Sequence, residues 1–241
     1  MRLQTPAWLI GGLAVLLSAW GAAGQGNFQN LGFESATIVQ AAGHPADLFL
    51  FAQAFPGWTG YVGGVQEGLT LYNNLAMDTV GFSIIDRGFI NPLGAGGLIQ
   101  GNFTAVLMSG LYQIGQPADA TLAQTGLVPA GTASLRFSAH LDNLSTSETF
   151  SVALGGQTLS LIPLQAGANY ILYAADIHGW AGKTAELDFT CIAQRPHGAD
   201  TYLYLDSIQF SDQSVPEPGV FGLSALGALL LGWRSIGRRR R

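Results

Sequence analysis

The sequence contains one cysteine, Cys191, and charged side chains make up only 10% of its 241 residues. A single thiol cannot form an intrachain disulfide, whatever the compartment. Cys191 lies in the stretch Leu-Asp-Phe-Thr-Cys-Ile at 187–192, where we expect it to pack as a small apolar residue. No activating base stands near it in the sequence, so a nucleophilic role is not favoured.

Basic residues are scarce in the central part of the chain. Residues 25–212 contain four basic residues against fourteen acidic ones, a net charge of −10, and half of all Lys and Arg lie in the last eight positions. Nucleic-acid binding needs clustered Lys and Arg, so this composition argues against it. It is compatible with binding cations or neutral polymers.

Sequence motifs for catalysis are absent as well. There is no G-x-S-x-G, no H-E-x-x-H and no glycine-rich phosphate loop, and the four histidines are scattered. Glu186 and Asp188 alternate along a predicted strand and therefore share one face. A glycosidase needs two carboxylates on opposite sides of a cleft. Because acidic residues are numerous, the sequence leaves a hydrolase function open.

Helical apolar stripes are also lacking, whereas short β-rich segments separated by Gly and Pro recur throughout 25–212. This pattern predicts an all-β domain, an antiparallel β-sandwich of the jelly-roll kind. A hairpin closed by Gly155 and Gly156 is expected over 149–162. Further strands are predicted at 28–38, 68–72, 82–85, 102–108, 120–124, 133–141, 170–174, 184–191 and 201–210.

The N-terminus has the organisation of a secretory signal peptide. Arg2 is followed by an uncharged run at 7–20 and by small residues at 22–24. We predict a signal helix removed by signal peptidase near Gly24, which leaves a β-sandwich domain at 25–212.

The C-terminus, 213–241, combines three features in a fixed order. Pro216, Glu217 and Pro218 precede an apolar run at 220–233, and arginines stand at 234 and 238–241. The predicted helix spans about 219–233, and its fourteen residues 220–233 would reach roughly 21 Å, short of a hydrocarbon core of about 30 Å. The pattern predicts a short transmembrane helix with a cytoplasmic arginine end, and a buried core helix is the alternative.

This order closely resembles the PEP-CTERM sorting signal of exopolysaccharide-producing Gram-negative bacteria. The resemblance implies that Pro216, Glu217 and Pro218 are recognised by an exosortase, a membrane protease. The chain would then be an inner-membrane-anchored precursor, later transferred to the cell surface or extracellular matrix.

Two stretches of the central domain resemble jelly-roll carbohydrate-binding and lectin-like modules. They are Asn-Leu-Gly-Phe-Glu at 30–34, followed by Phe-Pro-Gly-Trp at 55–58, and the closing strand at 204–208. In those modules the opening Glu and the closing Asp often share a structural calcium ion. The resemblance therefore implies calcium ligands at Glu34 and Asp206; two solvated surface acids are the alternative.

Two tryptophans are candidates for stacking on a sugar ring. Trp58 lies in the Pro-Gly-Trp turn, where covering one end of the core is the competing role. Trp180 lies in a glycine-flanked loop beside His178. Three functions remain open: a non-enzymatic glycan-binding surface protein, a structural matrix component without a ligand, and a secreted polysaccharide hydrolase.

Overall fold

The computed structural model describes residues 25–45, 47–75, 80–91, 96–112, 115–143, 150–193 and 201–216. The predicted signal peptide, Glu217, Pro218 and the predicted transmembrane helix lie outside the described residues. Within those ranges, none of the helices has the length and apolar character needed to cross a membrane.

Strands dominate the described parts of the chain. A four-residue helix, Phe51–Ala54, and a 3-10 turn, His178–Trp180, accompany them. The strands are β1 Leu48–Leu50, β2 Thr59–Val62, β3 Val65–Glu67, β4 Leu69–Tyr72, β5 Gly81–Ile85, β6 Thr104–Tyr112, β7 Gln116–Ala118, β8 Ala120–Leu127, β9 Ser134–Asn143, β10 Phe150–Leu154, β11 Gln157–Thr158, β12 Ile162–Ala166, β13 Ile171–Asp176, β14 Thr184–Cys191 and β15 Thr201–Ser211.

The strands form two sheets that pack face to face. The larger sheet has the order β1-β4-β5-β6-β15-β9-β13-β12, with β7 added beside β6, and the smaller has the order β11-β10-β14-β8-β2-β3. This confirms the predicted β-sandwich. The expectation that it is antiparallel throughout is wrong for one described pair, because β4 and β5 run parallel through Leu71–Ser83 and Tyr72–Ile84.

The main core lies between the sheets. Leu122, Leu187 and Phe189 of the smaller sheet and Phe137 and Leu205 of the larger one are fully buried in a single apolar cluster. Phe137 and Phe189 meet edge to face with ring centroids 5.1 Å apart. Cys191 is buried in this cluster too, which confirms its expected packing role.

A second apolar cluster covers the outer face of the larger sheet. Tyr202 and Tyr204 of β15 are buried there with Val106 and Met108 of β6. Strand β15 is thus buried on both faces, which explains why 202–205 is a continuous apolar run instead of an alternating one.

The pairing of β15 with β9 contains a β-bulge. Asp206 is opposite Ser138, but Gln209 is opposite Arg136, so the register shifts between them. Ser207 has a left-handed backbone with φ 52°. One extra residue reverses the alternation of side chains, so Leu205 and Ile208 both face the main core.

The predicted strand at 28–38 is wrong. Asn30 and Phe33 have φ of 51° and 59°, values that a strand does not accommodate. The N–H of Phe33 donates to the carbonyl of Asn30, and the N–H of Ala36 donates to that of Phe33, which makes two successive turns. Phe28, Leu31 and Phe33 are nevertheless buried, so the apolar residues mark core contacts and not a strand.

Candidate functional site

An open cavity of about 500 Å³ lies where the N-terminal turns meet the end of β15. One wall comes from the turns between Asn30 and Glu34, and another comes from the bulged part of β15. Polar and apolar side chains both line it: Gln25, Phe28, Asn30, Leu31, Gly32, Glu34, Gln100, Gly101, Asp206, Ser207, Ile208 and Gln209.

Glu34 reaches from the N-terminal turns to the loop that precedes β6. Its carboxylate accepts hydrogen bonds from the backbone N–H and the Nδ2 of Asn102, both 2.8 Å long. The N–H of Phe103 is 3.4 Å from the same carboxylate. Gly101 has φ +63°, and a Cβ there would overlap the Glu34 carboxylate, so glycine is required for this close approach.

Asp206 is 1% exposed and lies on the outer face of β15, immediately before the bulge. Its Oδ2 accepts hydrogen bonds from the hydroxyl of Thr104 at 2.8 Å and the N–H of Gln100 at 3.1 Å. Its Oδ1 accepts one from the N–H of Ser207 at 2.6 Å. Desolvation by burial raises the pKa of Asp206 to about 6, although these hydrogen bonds act in the opposite direction.

The two acids face the same cavity. A Cβ placed on Gly32 would lie 4.0 Å from Oδ1 of Asp206 and 4.0 Å from Cγ of Glu34. Within the described parts of the chain, no basic side chain pairs with Asp206. The ion pair found there joins His178 and Asp176. The structure therefore brings together the two residues that the sequence resemblance paired.

The donor set around these acids consists of oxygen atoms. In the described ranges, no three or more His, Cys, Asp or Glu side chains are grouped so that they alone could hold a metal ion. Glu34 and Asp206 offer carboxylate oxygens, and Gln25, Gln100 and Gln209, whose side chains contain amide oxygens, line the same cavity. Hard oxygen ligands of this kind fit calcium, which takes six to eight of them and accepts amide and backbone carbonyls beside carboxylates.

Trp58 belongs to the core. Its side chain is 5% exposed, its ring lies 5.9 Å from that of Phe33 and 6.3 Å from that of Phe189, and its Nε1 donates to the carbonyl of Asn30 at 3.2 Å. Burial leaves no ring face for a sugar, which counts against the stacking role predicted for Trp58. It instead fixes the turn that carries Glu34.

Trp180 is half-buried in the 3-10 turn before β14. Its ring packs so closely on Gly155 that a Cβ there would come within 2.1 Å of it. The Nζ of Lys183 lies 5.9 Å from the ring centroid, within reach of a cation–π contact. Trp180 therefore packs against the β10–β11 hairpin and is open to solvent only in part.

Glu186 and Asp188 stand two residues apart on the outer face of β14, as predicted. Desolvation, reinforced by the charge of Glu186, raises the pKa of Asp188 to about 6. Glu186 lies 3.4 Å from the hydroxyl of Thr125. Two carboxylates on one strand face form a single wall, which is not the two-sided cleft that glycoside hydrolysis needs.

The sequence did not point to Gln100, Asn102 or Thr104 as partners of the two acids. Gln100 and Asn102 lie in the loop before β6, and Thr104 is the first residue of that strand. They contact Glu34 from 68 positions away and Asp206 from more than 100 positions away. Asn102 and Thr104 belong to an Asn-Phe-Thr triplet, but nothing in its composition marks it as a partner of either acid. Of the three sorting residues, Pro216 is described and is half-buried.

No protein-family model matches this sequence, and no curated protein matches it. Among solved structures it is similar to a carbohydrate-binding module, TmCBM61, in complex with β-1,4-galactotriose. The match has 13% sequence identity, covers 76% of this chain and 96% of that chain, and has a TM-score of 0.41. It is also similar to two cleaved adhesin domains of Lys-gingipain. The K2 domain has 16% identity over 75% of this chain and 96% of that one, with a TM-score of 0.43. The K1 domain, from Porphyromonas gingivalis W83, has 16% identity over 67% and 92%, with a TM-score of 0.37. These TM-scores are too low to assign a fold or a function to this chain.

Proposed function

We propose that this chain is an exported, non-catalytic surface or matrix protein whose β-sandwich is stabilised by calcium and binds extracellular polysaccharide. The observation that carries the proposal is the convergence of Glu34 and Asp206 on one cavity. Glu34 lies at the start of the domain and Asp206 on its last strand, so an ion between them would join both ends of the domain.

The electrostatics of the cavity support a cation. Asp206 is buried, and no basic side chain is among the described lining residues. A buried carboxylate without a counter-charge is costly, which is the physical reason for its raised pKa. A bound calcium ion would supply that counter-charge, held by Glu34, Asp206 and neighbouring amide or backbone oxygens.

Glycan binding is the role we propose for the domain as a whole. An acidic module with four basic residues in 25–212 is suited to cations and neutral polymers and unsuited to nucleic acid. With Trp58 buried, Trp180 is the partly exposed aromatic ring that remains from the sequence candidates.

The route to the surface is proposed from the tail. The motif at 216–218, the apolar run and the terminal arginines support recognition by an exosortase after export through the signal peptide. We propose the exosortase, signal peptidase and the inner membrane as partners of the precursor.

Thermal unfolding with and without calcium tests the proposal. Because an ion that binds only the folded state stabilises it by RT ln(1 + [L]/Kd), a hundredfold excess over Kd is expected to add roughly 2.7 kcal/mol. The Tm of the purified protein is expected to rise with calcium and fall in EDTA, and magnesium is expected to substitute poorly because it requires tighter octahedral geometry.

Matched variants localise the effect. Glu34→Gln and Asp206→Asn keep the shape of each side chain and are expected to remove most of the calcium response. Glu186→Gln, on the smaller sheet, is the control and is expected to retain it. A Tm that does not respond to calcium in the wild-type protein would overturn the proposed ion.

A glycan array run beside a hydrolysis screen on the same polysaccharides separates the remaining functions. Binding without cleavage is expected. Cleavage that is lost in Asp188→Asn would establish the hydrolase, and neither binding nor cleavage would favour a structural matrix component.

A further inference from the structure

The Glu34–Asp206 cavity is larger than an ion requires. Its volume of about 500 Å³ lies in the range of about 300–1,000 Å³ typical of small-molecule sites. A water molecule takes about 30 Å³ in the liquid, so an ion with a few waters would fill only part of this space.

The chemistry of the walls suits a hydroxyl-rich ring. Gln25, Gln100 and Gln209 are exposed residues whose amide groups can both donate and accept hydrogen bonds. Phe28 and Ile208 contribute an apolar surface to the same cavity. A few polar groups placed around an apolar floor fix the orientation of a ligand that has hydroxyls at its edge and C–H groups on its face.

The charge of the cavity selects among sugars. Its two ionisable side chains are carboxylates, and no Lys, Arg or His is among the described lining residues. Even with a bound calcium ion the two carboxylates leave the cavity without a net positive charge, so uronic acids and sulfated sugars gain no attraction from it, whereas neutral hydroxyls can donate to the carboxylates.

We propose that this cavity binds one neutral, hydroxyl-rich sugar unit of an extracellular polysaccharide. The sugar is held by the amides of Gln25 and Gln209, above Glu34 and Asp206. This assignment rests on the proposed glycan-binding function and names the surface and the sugar class that serve it.

Filling the cavity tests the assignment. Gly32 lies between the two acids, has no positive φ, and a Cβ on it would meet nothing closer than 4.0 Å, so Gly32→Leu fits the backbone and occupies the space. Gly68→Leu is the matched control, because Gly68 is exposed, also lacks a positive φ, and has nothing within 4 Å of its Cβ position.

Isothermal titration calorimetry with the methyl glycosides of glucose, galactose and mannose, and with methyl glucuronide, gives the readout. In calcium buffer the wild-type protein is expected to bind at least one neutral glycoside. Gly32→Leu is expected to weaken that binding by about tenfold or more, and Gln209→Ala by roughly threefold, with Gly68→Leu unchanged. Methyl glucuronide is expected to bind no more tightly than the best neutral glycoside.

Other results would overturn the assignment without touching the broader proposal. Polysaccharide binding on the glycan array that survives Gly32→Leu but is lost in Trp180→Ala would move the site to the 3-10 turn. Tighter binding of the glucuronide would reject the neutral class, and the absence of glycoside binding would reject a single-sugar site. Failure of the wild-type protein to bind any glycan on the array would reject the proposed function itself.

Discussion

The thiol of Cys191 lies 3.3 Å from the hydroxyl of Ser109, across the interface between the two sheets. Cys191 is the last residue of β14 and Ser109 belongs to β6. Both residues are buried, and the Cys191 Sγ also lies 3.4 Å from the carbonyl oxygen of Thr201, to which it donates. The only cysteine of the chain therefore reports on the contact between the sheets.

The first prediction is that this thiol does not react while the sandwich is closed. Burial raises the pKa of Cys191 to about 12, so at pH 8 the thiolate is about one ten-thousandth of the population. Burial also keeps thiol reagents in solution from reaching the sulfur. Ellman's reagent is expected to react at the rate at which the native protein opens and promptly in urea. Cys191→Ser is the blank, and rapid reaction of the native protein would contradict the packing described here.

The second prediction concerns pH in the absence of calcium. The pKa of Asp206 is raised to about 6 in the folded protein, above its ordinary value near 4, so the folded state binds the proton more tightly than the unfolded state. The contribution of Asp206 to stability is therefore greatest below pH 4, falls as the pH rises from about 4 to 6, and is flat above that. At its largest the change is roughly 3 kcal/mol, since one pKa unit corresponds to about 1.4 kcal/mol.

Urea unfolding in EDTA at pH 4.5 and pH 7 measures this dependence. Asp188 has a pKa raised to about 6 as well, so its contribution has to be separated. The difference in the free energy of unfolding between the wild-type protein and Asp206→Asn is expected to be smaller at pH 4.5, where Asp206 is mostly protonated, than at pH 7. Asp188→Asn, measured at the same two pH values, provides the parallel comparison. A difference that is the same at both pH values would mean that Asp206 is not desolvated.

The third prediction concerns Gly60 in β2. A Cβ there would come within 2.6 Å of the Phe51 ring and 2.8 Å of the Phe82 ring, and these rings meet edge to face with centroids 5.2 Å apart. Gly60→Ala is expected to lower the free energy of unfolding by about 1–3 kcal/mol, the usual cost of overfilling a core. Gly68→Ala, which meets nothing, is the control, and equal denaturation midpoints for the two variants would contradict the close packing.

The fourth prediction concerns processing. If the tail is a sorting signal, the mature protein is expected to lack both 1–24 and the segment after the Pro-Glu-Pro motif. Intact-mass analysis of protein from the envelope and medium of the native host measures both ends at once. A dominant surface form that still carries the arginines at 238–241 would reject exosortase processing.

Long apolar strands were predictable from the sequence, because burial on one or both faces leaves a direct record in composition. Strands β8, β14 and β15 each include the predicted segment, and β9 includes all of 133–141 except its first residue. Short strands such as β3 and β7 were not predicted: Val65 is 62% exposed at the edge of the smaller sheet, and β7 contains Pro117. Edge strands bury little of their side-chain surface, so they lack the apolar periodicity from which strands are predicted.

The candidate site was only partly accessible to sequence reasoning. Glu34 and Asp206 were identified through a resemblance, whereas Gln25, Gln100 and Gln209 carry no pattern that sets them apart from other surface glutamines. The opening residues 30–34 contribute to the site as turns, because Asn30 and Phe33 adopt left-handed backbone that composition did not reveal. Such backbone choices depend on contacts with distant strands.

The bulge at Ser207 marks where this strand can change its length. Because Ser207 is the extra residue in the pairing of β15 with β9, Asp206 and Gln209 already lie opposite Ser138 and Arg136, as they would in a regular strand without it. Deleting Ser207 would remove the hydrogen bond from its N–H to Asp206 but would leave Ile208 and Phe210 in the core. Inserting a residue in the regular part of the strand, between Thr201 and Leu205, would instead turn the side chains on one side of the insertion to the opposite face. Length variation among descendants of this sequence should therefore be tolerated in the connecting loops and at the bulge, and excluded in the regular part of β15.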